Sequence, residues 1–306
     1  MRALVSPASL KGVLTARDAA AFVAAGLRSA GVAADELPVA DGGEGTAAVL
    51  GAEVVELVLV HDAFGRPRKA PVRQLEDGAA VVEAAEVIPL DPRRRDPLGA
   101  SSRGLGELIG QVHAAHLLVC LGGTATVDGG AGLREVLDEL PAPTTVLCDA
   151  LVPLVDAARR FAAQKGASPE QVRLLERRLA ALEELAPYAE LPGAGAAGGL
   201  GAALAALGAV LVPGAREVLE RIGFRARARV ADVVITGEGV VDETTRTGKA
   251  PFEVVRACRD QGVRCIVFGG RVELPLEGAE TTALSGDPAR AAEDLRQLGL
   301  RLARGA

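Results

Sequence analysis

Apolar residues fall along this chain in short continuous runs that alternate with longer stripes at helical spacing. Arg2–Ser6 is a short apolar run stopped by Pro7, and residues 15–30 then carry helix-spaced apolar positions up to Gly31. A β-rich run, Val54–Val60, is followed by a turn at Arg66-Pro67, a strand-like Ala70–Leu75 and a short strand Ala79–Val82. Leu105–Ala115 reads as a helix, Leu117–Leu121 as a buried strand, Thr144–Leu147 as another strand, and Pro169–Leu185 as an Arg/Glu-laced helix with an apolar stripe. The last third predicts strand Val233–Thr236, helix Pro251–Gln261, strand Cys265–Phe268 and helix Pro288–Leu300. This β-α rhythm favours a parallel sheet covered on both faces. The hairpin-like region 53–83 does not fit a doubly wound pattern. The expected fold class is therefore α/β with two α/β domains: one Rossmann-like with a parallel sheet, one with a mixed sheet, the chain crossing between them more than once.

Length and composition narrow the function classes. The chain has 306 residues, enough for two domains, with 49% hydrophobic and 24% charged residues and a formal charge of −6. A mildly acidic chain is a poor non-specific binder of nucleic acid. With six Phe, one Tyr and no Trp it lacks the material for base-stacking platforms. The four cysteines (Cys120, Cys148, Cys258, Cys265) form no CxxC pair and sit in or beside apolar segments, as buried reduced thiols would. No apolar run approaches the ~18 residues of a membrane span, and the N-terminus reads as a strand rather than a signal peptide. The expectation is a soluble cytoplasmic protein with no nucleic-acid or membrane partner.

Glycine carries the chemical information. Its 37 residues include four clusters: Asp41-Gly42-Gly43-Glu44-Gly45-Thr46, Gly122–Gly130, Gly193–Gly201 and Gly237-Glu238-Gly239. The second and fourth follow directly on expected buried strands, where open parallel sheets build their ligand crevice. Glycine there lets backbone N–H groups approach an anion. The carboxylates inside or beside these clusters, Asp41, Glu44, Asp128, Glu238 and Asp242, would repel phosphate unless a divalent cation lay between, and phosphoryl transfer with Mg²⁺ supplies one. Lysine usage is a second clue. Only Lys11, Lys69, Lys165 and Lys249 occur against 30 arginines, so a surviving lysine marks a place for a compact point charge. Other motifs fail on context. Gly193-x-Gly195-x-x-Gly198 is not preceded by a buried strand. Gly248-Lys249 is followed by Ala250 and forms no P-loop. His113 and His116 have no third zinc ligand nearby, and Ser101-Ser102 lacks the setting of a hydrolytic triad.

Taken in order, these motifs resemble the type I glycerate kinases over nearly the whole chain. Ser6-Pro7-Ala8-Ser9-Leu10-Lys11-Gly12 is similar to that family's opening P-D-S-F-K-G, and Pro38–Thr46 matches its P-V-A-D-G-G-E-G-T. Gly122–Gly130 is similar to G-G-S-A-T-N-D-G-G. Gln164-Lys165-Gly166-Ala167, Gly195–Gly201, Ile235–Gly239 and Gly248-Lys249-Ala250-Pro251 also fit. The resemblance implies ATP-dependent phosphorylation of glycerate to phosphoglycerate. It also implies a Rossmann- or flavodoxin-like domain (1–40, 85–125, 226–306), a restriction-endonuclease-like domain (41–84, 126–225) and an active site in the cleft between. ATP and glycerate are then the small-molecule partners, and a homodimer stays open.

Within that resemblance Asp128 is the expected base or hydroxyl orienter, with Lys11 and Lys249 neutralising phosphate or the glycerate carboxylate. Asp41, Glu44, Glu238 and Asp242 are the expected Mg²⁺ holders. Substrate or nucleotide contacts are expected from Asp41, Gly42, Gly43, Glu44, Gly45, Thr46, Ser102, Arg103, Gly122, Gly123, Thr124, Ala125, Thr126, Gly198, Gly199, Gly237 and Glu238. Departures stand at Ala8 for Asp, Leu10 for Phe, Val127 for Asn and Leu151–Leu154 for an N-P-L triplet; Arg103 and Leu105 replace an aromatic and a Thr. If these thin the polar surroundings of the site, the alternatives are a kinase of another small hydroxy acid or a non-catalytic nucleotide or metabolite binder.

Overall fold

The computed structural model describes residues 1–305 and divides the chain into two compact units, Met1–Asp41 with Ala215–Ala306 and Gly42–Gly214. The described residues form the strands β1 (Arg2–Val5), β2 (Ala33–Glu36), β3 (Glu53–His61), β4 (Pro67–Gln74), β5 (Ala80–Glu83), β6 (Leu117–Cys120), β7 (Thr144–Cys148), β8 (Val210–Pro213), β9 (Val233–Val241), β10 (Arg264–Val272) and β11 (Glu280–Ala283).

In the first unit the order is β11-β10-β9-β1-β2, parallel throughout. Successive residues of its central strands enter opposite cores, as the period of two requires. Ala3, Val5, Val233, Ile235, Ile266 and Phe268 pack with helices Ala16–Ser29 and Ala291–Arg304. Leu4, Val234, Cys265 and Val267 pack on the other face with helix Ala250–Gln261. Both faces are thereby buried, which is why these strands read as unbroken apolar runs.

The second unit has the order β3-β4-β5-β6-β7-β8, antiparallel across β3, β4 and β5 and parallel from β5 onward. The expected combination of a parallel and a mixed sheet is what the chain forms. The expected segment boundaries are not. Residues 85–125 were assigned to the parallel-sheet domain, but their strand β6 is hydrogen-bonded between β5 and β7, so they belong to the second unit. The passage from one unit to the other falls inside the Asp41–Thr46 motif, with Asp41 in the first and Gly42 onward in the second.

Candidate functional site

In the first unit the expected site residues gather beyond the end of β1 and along the later half of β9. Ser6 donates its N–H to Ile235 at 2.7 Å, and Ala8 donates to the Gly237 carbonyl at 2.9 Å. The Ser6 side chain is fully buried there, and its hydroxyl meets no protein partner. Strand β9 continues past Thr236 through Gly237-Glu238-Gly239, pairing with β10 as far as Val241. The expected loop at 237–239 is therefore strand. Gly237 serves close packing, since a Cβ on it would stand 2.2 Å from the Phe268 carbonyl, and it is not placed to cradle an anion.

Glu238 projects from this strand and is 9% exposed. Its Oε1 accepts the Thr245 hydroxyl at 2.8 Å, and its Oε2 lies 3.4 Å from Lys249 Nζ. Burial pushes its carboxyl above the usual range, Lys249 and Thr245 pull back, and the nearby Asp41 charge adds to the rise. Asp242 has a different task. Its Oδ1 accepts the N–H and hydroxyl of Thr244 at 2.8 and 2.6 Å and the Thr245 N–H at 3.2 Å, capping the 3₁₀ turn Glu243–Thr247. Burial would raise its carboxyl, but the Thr244 bonds and the Lys249 charge hold it below the ordinary value. Lys249 is the N-cap of helix Ala250–Gln261 and makes no side-chain cap bond. Lys11 is exposed on the turn that follows Leu10.

In the second unit the loop Gly42–Thr46 is fixed by a carboxylate that the sequence reading passed over. Glu83, at the end of β5 and 5% exposed, accepts the N–H groups of Gly45 at 3.0 Å and Ala47 at 2.6 Å. Burial raises its carboxyl against the pull of those two bonds. Thr46 is buried and donates its hydroxyl to the Gly43 carbonyl at 2.7 Å. A Cβ on Gly42 would lie 2.9 Å from the Leu147 carbonyl, and one on Gly122 would lie 2.5 Å from Gly43 Cα and 2.9 Å from Asp149 Oδ2. These glycines let the ends of β6 and β7 meet the loop. Gly45 has open space around it, and Glu44 stands exposed, its side chain about 4 Å from where a Gly123 Cβ would be.

The loop after β6 departs most from expectation. Asp128 is filled with donors: Ser102 N–H at 2.8 Å and hydroxyl at 2.7 Å, Gly130 N–H at 3.1 Å and Gly132 N–H at 3.2 Å. Ser102 accepts in turn from Leu133 N–H at 2.9 Å. Asp128 and Ser102 thus bind residues 101–103 to the start of the short helix Ala131–Arg134, and this carboxylate braces the loop. Arg103 is held by Glu107 and Glu135 on the surface. Gly198 and Gly199 do not line an anion cradle. With Ala197 they form three consecutive left-handed residues pressed on the same loop, a Gly198 Cβ falling 2.2 Å from the Thr126 carbonyl and a Gly199 Cβ 2.8 Å from Gly129 Cα. Within 122–126 the Ala125 N–H is taken by Ile88, whereas those of Gly122, Gly123 and Thr124 donate to no protein acceptor among the described residues.

Beneath this loop lies Lys165, 4% exposed, donating from Nζ to the Thr126 carbonyl at 2.7 Å and the Thr124 hydroxyl at 3.3 Å. Burial lowers its pKa to about 8, opposed by the charges of Asp149 and Asp128. Its scarcity as a lysine marked it in the sequence; its burial was not readable there.

The ordered motifs and both sheets have counterparts in known proteins. The glycerate kinase family model matches residues 3–139 and 139–287. The chain belongs to the glycerate kinase family. A glycerate kinase of Bacillus subtilis is 33% identical over 89% of this chain and 85% of its own length. The glycerate 2-kinase of Escherichia coli is 32% identical over 85% and 82%. A crystal structure from Salmonella typhimurium LT2, assigned there as glycerate kinase 2, superposes with a TM-score of 0.80 at 29% identity and covers 100% of this chain and 98% of that one. The chain is accordingly an enzyme of this kinase class.

Two departures from the family motifs lose their force once placed. Val127, in the position of the family's Asn, is 1% exposed and packs with Leu154, Leu175 and Leu179. Ala8 lies against the apolar core around Leu4 and Val39. Both replace polar groups with residues that suit an apolar surrounding. No helix among the described residues is long and apolar enough to cross a membrane.

Proposed function

We propose that this chain transfers the terminal phosphoryl group of ATP in line to a hydroxyl of glycerate with the aid of Mg²⁺. The observation that carries the reading is the Asp41–Glu238–Lys249 group around the later half of β9, in a chain whose family motifs run in order from end to end. Mg²⁺ binds through one or two carboxylates and completes its shell with phosphate oxygens and water. The donor set fits that habit: Asp41 and Glu238 are two hard oxygen donors whose mutual repulsion a cation would relieve, and no three metal-ligating side chains converge among the described residues. Asp41 and Glu238 would hold the ion, which would offset the charge of the polyphosphate. Asp242 is left as the cap that orders the turn bearing Thr245, and Glu44 is not needed in the set.

Phosphoryl transfer asks mainly for positioning and charge compensation. Lys249, at an uncapped helix start, would face phosphate oxygens, and Lys11 would close on them from its exposed turn. Asp128 would act through geometry by holding the loop after β6. The non-catalytic reading rested on Ala8 and Val127, and both side chains pack against apolar cores. A coupled ADP-release assay across small hydroxy acids tests the substrate. D-glycerate should give the highest kcat/KM; another acid better by about tenfold, or about 1.4 kcal/mol of transition-state stabilisation, would contradict the proposal.

A further inference from the structure

The loop after β6 poses a charge problem. Asp149 after β7 lies beside Gly122, Asp128 sits further along the same loop, and the backbone N–H groups of Gly122, Gly123 and Thr124 donate to no protein acceptor among the described residues. Backbone N–H groups left without a protein acceptor at a strand end are open to an external one. An anion offered to them would meet the field of both aspartates. The cation set into this loop is Lys165.

We propose that Lys165 is the buried countercharge of an anion-binding subsite formed by residues 122–126. The proposal rests on the kinase reading for the identity of the anion, a phosphoryl or carboxylate group. Lys165 does not touch that anion. It is a positioning residue that acts through the loop, spending two of its three N–H donors on the Thr126 carbonyl and the Thr124 hydroxyl. With its proton in place the group of two carboxylates and one ammonium carries −1; without it, −2. The groups facing Nζ are the two carboxylates, the two threonine oxygens and the Phe161 ring, whose centroid is 6.0 Å away, while the Arg95 backbone lies against Gly166. A surface lysine would screen the aspartates less, because water would screen it first.

Linkage gives the sign. Burial already brings the Lys165 proton to about 8 in the free protein. A bound anion favours the ammonium and must raise that value, and by reciprocity the anion must bind more weakly as pH climbs through it. The chain has four lysines, so ¹³C-labelled lysine gives four side-chain signals. The experiment follows the Lys165 signal of the intact protein from pH 6 to 11, free, with D-glycerate alone, with Mg·ATP alone, and with inorganic phosphate. We expect a midpoint near 8 in the free protein. One of the first two ligands should move it up by at least about half a unit, which corresponds to about threefold weaker binding of that ligand at high pH. Lys165→Met should weaken the same ligand by about tenfold or more while leaving the KM of the other within about twofold. Lys165→Arg, which stays charged, should restore affinity to within about threefold and flatten its pH dependence.

A Lys165 midpoint unmoved by any of the three anions overturns the proposal, as does wild-type affinity for both substrates in a folded Lys165→Met. Should that variant fail to fold, the wild-type titrations decide alone. A shift with phosphate in a protein that binds neither substrate would sink the kinase reading and leave the countercharge standing.

Discussion

Four donors converge on one carboxylate at Asp128: three backbone N–H groups and the Ser102 hydroxyl. Removing the carboxylate strands them in a half-buried loop, where an unmet donor costs about 1–3 kcal/mol. Asp128→Ala should therefore lower unfolding stability by about 3 kcal/mol or more in urea titration; a loss below about 1 kcal/mol would show that the brace carries little. A carboxylate in a glycine-rich turn looks the same in sequence whether it accepts its own backbone or orients a substrate. The partner that separates the two, Ser102, lies 26 residues away. Lys249 and Asp41 stand out in the sequence because a charge beside a strand-end motif has few structural uses, and their roles rest on the proposed function. Glu83 was not, since a strand-terminal Glu gives no sign that two amides point at it.

At the scale of elements, the tight contact between Ala197–Gly199 and the loop after β6 makes a sharp comparison possible. Gly198 and Gly45 both hold positive φ, +74° and +88°, but a Cβ would strike the Thr126 carbonyl at the first and meet nothing within 4 Å at the second. Gly45→Ala should cost only the left-handed strain of about 1–2 kcal/mol. Gly198→Ala should cost that plus overpacking, about 3 kcal/mol or more in total, read from the same urea titrations. Equal losses at the two sites would contradict the packing account. The interior strands β1, β5, β6, β7, β9 and β10 were readable as apolar runs because sheet neighbours and helices bury them. β2 and β11 escaped notice because each is a four-residue sheet edge with exposed or half-exposed positions and little apolar signal, whereas the apolar edge β8 follows the Ala-rich helix Ala196–Ala206 with little change in hydropathy. The helix expected over 105–115 is shorter, Arg103–Ile109, stopping at Gly110. The one expected over 169–185 ends at Ala180, and a 3₁₀ segment with Pro187 inside it follows.

For the molecule as a whole, two α/β units with one parallel and one mixed sheet were foreseeable, because the hairpin run 53–83 broke an otherwise doubly wound rhythm. The membership of residues 85–125 was not, since β6 reads as a buried parallel strand in either unit and only pairing with β5 and β7 assigns it. The order of the family motifs survives the passage of the chain from one unit to the other and back, and the central claim, phosphoryl transfer to glycerate, belongs to the intact chain. Phosphorus NMR of a reaction containing the protein, ATP, Mg²⁺ and D-glycerate tests that claim most directly. The account predicts a new phosphomonoester signal, coupled to a glycerate carbon proton, growing in step with ADP. Orthophosphate appearing with ADP and no phosphoglycerate, or no loss of the γ-phosphate signal at all, would contradict it.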